Sequence, residues 1–262
     1  MTDKPYAVIT GASQGLGKAF AIACAKRNMN LVLIALPNEG LQETADAISG
    51  QFAVKVIPFE TDLSSENACF AIFDFVEKKA VPVHMLINNA GIGSAGNFES
   101  ISPAFCQLLV KVNVLAPVLL TRLFLPLLQQ QPAAYILNVS SLASFFHIPD
   151  KEVYGASKSF LYSFSRSLSN SLRGTPVKVS VVCPGGIQTN ERVRRANDKL
   201  KGIARKAIQL PEDVAAFTLH RMLAGQAVII PGNLNNLSLW INRCIPAYIK
   251  NKVLTKVIRP EG

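Results

Sequence analysis

The stretch Tyr6-Ala7-Val8-Ile9-Thr10-Gly11-Ala12-Ser13-Gln14-Gly15-Leu16-Gly17 decides the fold. Its first five residues read as a short buried strand, rich in β-branched and aromatic side chains. The strand runs straight into a glycine-rich turn, and a helical pattern from Lys18 to Arg27 follows. Strand, glycine turn and helix start form the setting in which a glycine motif means phosphate binding. Glycine permits the tight turn and the close backbone approach, while the helix N-terminus offers unpaired N–H groups to a pyrophosphate. The spacing is G-x-x-x-G-x-G. A glycine turn with no ligand is the alternative, and the strand before and helix after argue against it.

Working outward, the same alternation continues. Further strands are expected at Leu31–Leu36, Ala53–Pro58, Met85–Asn88, Tyr135–Ser140, Val177–Val182 and Ala227–Ile230. Helices are expected near Gly15–Arg27, Asn38–Ile48, Ser64–Lys79, Pro103–Gln129, Val153–Arg173 and Pro211–Leu223. Continuous apolar strands between amphipathic helices imply an α/β fold, a doubly wound parallel sheet of about seven strands covered on both faces. A chain of 262 residues suits one such domain, and no linker, repeat or low-complexity run divides it. Ligands of these sheets bind beyond the carboxyl ends of the strands.

A second motif, Tyr154-Gly155-Ala156-Ser157-Lys158, lies on an expected helix, with Ser141 thirteen residues upstream of the tyrosine. Positions i and i+4 share a helix face, so phenol and ammonium meet. The positive charge is expected to lower the tyrosine pKa and make Tyr154 a proton donor and acceptor near neutral pH.

Thr10-Gly11-x-x-x-Gly15-x-Gly17, Asn88-Asn89-Ala90-Gly91, Asn113, Ser141, Tyr154-x-x-x-Lys158 and Pro184-Gly185 with Thr189 together resemble the short-chain dehydrogenase/reductase family. Order and spacing match over residues 5 to 232, and each motif falls at the carboxyl end of a strand or on the helix after strand five. The resemblance implies a Rossmann-type catalytic domain over residues 1–233, with a lid at about 188–207. It implies an NAD(P)-dependent oxidoreductase acting on a small carbonyl or alcohol, and a homo-oligomer, dimer or tetramer. In reduction Tyr154 gives the proton, Ser141 orients the substrate oxygen, and Lys158 binds the nicotinamide ribose. Asn113 holds a water that links Lys158 to solvent. Ser141, at the family spacing from Tyr154, is the catalytic serine, and Ser140 a structural one. Many relatives have glycine where Ser144 stands, a local departure in that loop. Cofactor contacts are implied at Gly11, Ser13, Gly15, Leu16, Gly17, Asp62, Leu63, Asn88, Ala90, Gly91, Tyr154, Lys158, Pro184, Gly185, Ile187 and Thr189. Asp62 can instead serve only to cap the next helix.

Cofactor choice turns on the end of the second strand, Ile34-Ala35-Leu36-Pro37-Asn38-Glu39. Neither the acid that holds the ribose hydroxyl of NAD nor the arginine that accepts the NADP phosphate stands at the strand end. NADP is the preferred expectation and NAD the alternative. Apolar residues in the segments around the site (Phe98, Phe145, Phe146, Ile148, Val193, Ile203) suggest a hydrophobic substrate, lipid-like or acyl.

The net charge of +10 favours anions in general. Neither a zinc-finger pattern nor an aromatic RNA-binding motif is present, so nucleic acid is not an expected partner. Arginines and lysines between Arg192 and Lys206 read as a solvated face or as a receiver for an acidic substrate. Residues 234–262 form a basic amphipathic tail: Leu237, Trp240, Ile241 and Cys244 recur at helical spacing beside Arg243, Lys250, Lys252, Lys256 and Arg259. Such a stripe suits an anionic membrane surface, a cover over the pocket or a partner subunit. The apolar run Val112 to Leu128 is interrupted by Asn113, Pro117, Arg122 and Pro126, which favours a buried or interface helix over a span. The five cysteines form no C-x-x-C pair and the three histidines lack metal-ligand spacing, so no metal site is expected. The N-terminus carries no apolar leader, and the expectation is a cytoplasmic protein, with peripheral membrane contact left open. Two other functions remain open: a non-catalytic dinucleotide-sensing protein, and a membrane-surface interaction protein acting through the tail.

Overall fold

Every residue of the first strand, β1 (Tyr6–Thr10), is buried, as is every residue of β2 (Asn30–Ala35). Side chains alternate between the two faces of a strand. Ala7, Ile9, Leu31 and Leu33 therefore join one core, and Tyr6, Val8, Val32 and Ile34 the other. The first core is covered by α1 (Gly15–Ala25), α2 (Leu41–Gln51) and α7 (Pro211–Leu223), through residues such as Phe20, Ile48 and Met222. The second is covered by α3 (Glu66–Lys78) and α5 (Ala116–Gln129), through Ile72, Leu120, Phe124 and Leu128. Removing one such ring, as in Phe124→Ala, costs about 3–5 kcal/mol.

The computed structural model describes residues 4–93, 96, 98–188 and 207–244. The remaining strands are β3 (Val56–Glu60), β4 (Val83–Asn88), β5 (Ala134–Val139), β6 (Val177–Val182) and β7 (Val228–Ile229). All pair in parallel in a seven-stranded sheet of order β3-β2-β1-β4-β5-β6-β7. The winding reverses between β1 and β4, which opens a crevice at their carboxyl ends.

Two departures from expectation have local causes. Helix α2 starts at Leu41 rather than Asn38, because Asn38 (φ 63°) and Gly40 (φ 70°) adopt left-handed turn conformations. It then runs on to Gln51, so β3 begins at Val56 instead of Ala53.

The apolar run belongs to α4 (Pro103–Val110), a π turn (Lys111–Leu115) and α5. By length and composition Pro103–Gln129 could cross a membrane, yet Leu120, Phe124 and Leu128 are buried against the sheet and its neighbours. Ser102 caps its start by accepting from the Phe105 N–H at 3.1 Å, and Pro103 supplies a preset first turn. The π turn precedes Pro117, which has no N–H to give the Asn113 carbonyl four residues back. Such turns mark functional positions.

The tail expected over 234–262 begins as a helix, α8 (Asn233–Cys244), with Asn235 and Leu239 buried against the domain. The remainder, from Ile245 on, lies outside the described residues, as does most of the expected lid.

Candidate active site

The glycine turn between β1 and α1 leaves space by steric necessity. Gly11 (φ 64°) and Gly15 (φ 55°) occupy the left-handed region. A Cβ on Gly17 would come 1.9 Å from the Gly11 carbonyl oxygen. Gln14 makes no side-chain capping bond to α1, so the first-turn N–H groups stay available for an anion. Thr10 Oγ1 accepts from the Asn89 and Ala90 N–H groups, both at 3.0 Å, and Asn89 Nδ2 donates to the Thr10 and Gly11 carbonyls at 2.9 and 3.1 Å. These bonds tie the end of β4 to the turn after β1.

Above them lies a cavity of about 470 Å³, walled by Gly11, Ser13, Gly15, Leu16 and Gly17, by Leu36, Asp62 and Leu63, and by Ala90 and Gly91. Its size, glycine floor and open helix N-terminus fit a dinucleotide. Asp62 lines this wall and also accepts from Ser64 N and Oγ, both at 2.8 Å, which closes the turn before α3; the expected helix cap is not made by Asp62, since Ser65 is the N-cap residue. Gln14 and Glu39 meet across the wall at 3.3 Å.

The Asn88 side chain does not face the cavity. Its amide points inward, donating to Asn138 Oδ1 at 2.8 Å and Thr121 Oγ1 at 3.1 Å, and it is absent from the cavity wall. The asparagine on the wall is Asn89. At a strand end successive side chains face opposite ways, and the pair Asn88-Asn89 does not announce which faces the ligand.

The second half of the site is built from side chains. Tyr154 and Lys158 lie in the first two turns of α6 (Glu152–Ser171), with the Lys158 ammonium 5.9 Å from the Tyr154 ring centre. Lys158 is buried and donates to the Val139 carbonyl at 3.0 Å. Burial lowers its pKa to about 8, opposed by the neighbouring Cys183. Burial also raises the Tyr154 pKa, while a hydrogen bond with Ser141 pulls it down. The expected lowering of Tyr154 by Lys158 is thus overturned. The ammonium sits toward the ring and bonds a carbonyl, and the cost of burying a phenolate wins.

Ser141 starts a 3₁₀ turn (Leu142–Phe145), accepting from the Ala143 N–H at 3.1 Å, which fixes its hydroxyl beside Tyr154. Ser140 donates to the Lys158 carbonyl at 2.7 Å and is buried, a fastening of strand to helix. Ser144, at the position of departure, closes the same turn by donating to the Ser141 carbonyl at 2.7 Å.

Asn113 is fully buried in the π turn. Its Oδ1 accepts from the Ile92 N–H at 2.8 Å, and its Nδ2 donates to the Ile92 carbonyl at 3.0 Å and to Ser157 Oγ at 3.1 Å. Ser157 donates onward to the Tyr154 carbonyl at 2.7 Å. Sequence reasoning passed over Ser157, because nothing distinguishes it among the many serines of α6. A Cβ on Gly91 would come 3.1 Å from Lys158 Nζ and 3.3 Å from Asn113 Oδ1, so the cavity floor adjoins these two side chains. Across the sheet edge, the Pro184 carbonyl accepts from the Leu142 N–H at 2.9 Å. Ile187 pairs with Gln209, and Gly185 packs on Asn235. Thr189, the last of the expected cofactor contacts, lies outside the described residues.

The family model of the short chain dehydrogenases matches residues 5–201. The ketoacyl reductase HetN of a Nostoc species is 36% identical over 200 residues, covering 75% of this chain and 69% of that protein. Estradiol 17-beta-dehydrogenase 11 of Rattus norvegicus is 29% identical, covering 91% of this chain and 79% of that protein. The crystal structure of a short chain dehydrogenase/reductase from Burkholderia phymatum in complex with NAD superposes with a TM-score of 0.80, at 29% identity and 92% coverage of both chains. The chain belongs to the short-chain dehydrogenase family and is an oxidoreductase.

Proposed function

We propose that this short-chain dehydrogenase reduces the carbonyl of an apolar, lipid-like or acyl substrate, with Tyr154 as the general acid and NADP, or alternatively NAD, as the cofactor. The observation that carries this reading is the half-buried Tyr154 phenol, held against Ser141 and kept protonated by desolvation. When bound, the reduced nicotinamide supplies the hydride. Negative charge then builds on the substrate oxygen, and the two hydroxyls of Ser141 and Tyr154 meet it. Tyr154 gives up its proton there. Lys158, protonated below pH about 8, offers N–H groups to the ribose. The Asn113 side chain is committed to Ile92 and Ser157. Its role in proton supply therefore falls to its backbone carbonyl, which Pro117 cannot engage.

The remaining cofactor contacts follow from position. Gly11, Ser13, Gly15, Leu16 and Gly17 receive the pyrophosphate end; Asp62, Leu63, Ala90 and Gly91 flank the adenosine and ribose; Pro184, Gly185 and Ile187 take the nicotinamide side. The apolar class of substrate fits the names of two relatives, a ketoacyl reductase and an estradiol dehydrogenase. The test is a panel of 3-oxoacyl thioesters, ketosteroids and ketoses, each assayed with NADPH and with NADH. Turnover confined to the apolar ketones supports the reading. Activity only as NAD-dependent alcohol oxidation would overturn the direction.

The same reading includes a cytoplasmic homo-oligomer that touches membranes peripherally. Val110 and Phe160 expose apolar surface on α4 and α6, suited to a second copy. On α8, Leu234, Leu237 and Trp240 are 38%, 52% and 66% exposed, and the basic tail sequence follows. An apolar helix face beside lysines and arginines suits an anionic lipid surface. Flotation with phosphatidylserine vesicles should carry the wild type up and leave a Leu237→Glu/Trp240→Glu variant behind. Equal behaviour of both would remove the membrane from this account.

A further inference from the structure

The loop after β6 rests on a residue far along the chain. A Cβ on Gly185 would come 2.7 Å from Asn235 Oδ1 and 2.9 Å from Nδ2, so the loop backbone lies directly on that amide. Asn235 is only 4% exposed. Its Nδ2 donates to the Pro231 carbonyl at 2.7 Å and to Gln209 Oε1 at 3.2 Å. Gln209 is in turn joined to the loop through its backbone: its N–H donates to the Gly186 carbonyl at 3.0 Å, and its carbonyl accepts from the Gln188 N–H at 3.1 Å. Gly232 (φ 89°) leaves room on the other side, since a Cβ there would stand 3.1 Å from Asn235 Nδ2 and 3.2 Å from the Gln209 amide. One buried amide thus fastens three distant segments: the loop after β6, the approach to α7 and the start of α8.

We infer that Asn235 is a positioning residue for the nicotinamide half of the cofactor, acting through Gly185. A buried amide with both N–H groups engaged is held in one orientation, and a backbone packed on it has one height. The C-terminal helix thereby sets the level of the loop that faces the nicotinamide. This rests on the assignment of Pro184, Gly185 and Ile187 to that side of the cofactor.

The experiment separates the two ends of the cofactor. Full-length wild type, Asn235→Ala, Gly185→Ala and the double variant are titrated with NADPH, with NADH, and with ADP-ribose and its 2′-phosphate, which lack the nicotinamide. In Asn235→Ala the better dinucleotide should bind about tenfold more weakly, with its ADP-ribose fragment within about twofold of wild type. Gly185→Ala should lose dinucleotide affinity by a similar factor, and lose less when Asn235 is already alanine, because the colliding amide is gone. Equal weakening of dinucleotide and fragment would mean a general loss of structure and would overturn the inference, as would unchanged dinucleotide binding. Should Asn235→Ala not fold, Gly185→Ala alone decides by the same comparison of dinucleotide with fragment. Wild type that binds the fragment but gains nothing from the nicotinamide would overturn this inference alone. Wild type that binds neither would overturn the cofactor reading and this inference with it.

Discussion

Between β1 and α1 the site is made by leaving side chains out, whereas around α6 it is made by burying them. At Gly17 an added methyl would strike the Gly11 carbonyl, and at Gly11 it would sit 3.0 Å from the Ala90 Cα. No charged group is needed there, only backbone and a helix end. At Tyr154 and Lys158 the opposite holds. Both side chains are large and ionisable, Lys158 buried and Tyr154 half-buried, and their proton affinities are displaced by desolvation. The first region is limited by volume and the second by solvation, so substitutions should separate them.

The sharpest separation is expected from Tyr154→Phe. Loss of the proton donor should lower kcat by about 10²–10⁴, while dinucleotide affinity, measured by nicotinamide fluorescence, stays within about twofold. Gly17→Ala should do the reverse. The added Cβ has no room, and overpacking costs about 1–3 kcal/mol of stability, read as a lowered urea midpoint together with loss of dinucleotide binding. If Gly17→Ala bound cofactor normally, the volume account of the cradle would fail.

Lys158→Met tests solvation directly. The folded lysine releases its proton near pH 8, below its ordinary value of 10.5. Between those values the unfolded chain binds more protons than the folded one, so this residue makes stability rise with pH there. Below pH 8 the buried charge is a cost. The methionine variant should therefore be more stable than wild type at pH 7, by about 1–3 kcal/mol, with the gap closing as pH approaches 10. Urea unfolding of both proteins at several pH values measures it, and a gap independent of pH would contradict the burial argument. A smaller effect is expected from Ser157→Ala, which removes one of the three hydrogen bonds of the Asn113 side chain. A severalfold fall in kcat with unchanged cofactor affinity would place Ser157 on the reaction side of the comparison; no change would make it packing only.

The volume-limited region was legible in the sequence because glycine spacing states a steric requirement outright. The parallel sheet was legible for a similar reason, since the runs Tyr6–Ile9 in β1 and Leu31–Ala35 in β2 carry no charged or strongly polar side chain and leave no face suited to solvent. Solvation is not written in any one residue. Tyr154 and Lys158 could be placed on one helix face by counting, but not the outcome that burial outweighs their mutual attraction. Nor could spacing tell Asn88, turned to Asn138, from Asn89, turned to the cavity. The late start of α2 depended on Asn38 and Gly40 taking left-handed conformations, which each residue permits and neither requires. Asn235 stood among Asn233 and Asn236 in a segment that read as an amphipathic tail, and only the packing of Gly185 against it singles it out.

The central claim is that the two regions serve one nicotinamide cofactor, and titration with NADPH and NADH, following nicotinamide fluorescence in wild type and Lys158→Ala, tests it most directly. The account predicts saturable binding of at least one dinucleotide, weakened about tenfold or more in the variant, where the ribose loses its ammonium partner. Absence of binding in the wild type, or equal binding in both proteins, would contradict it.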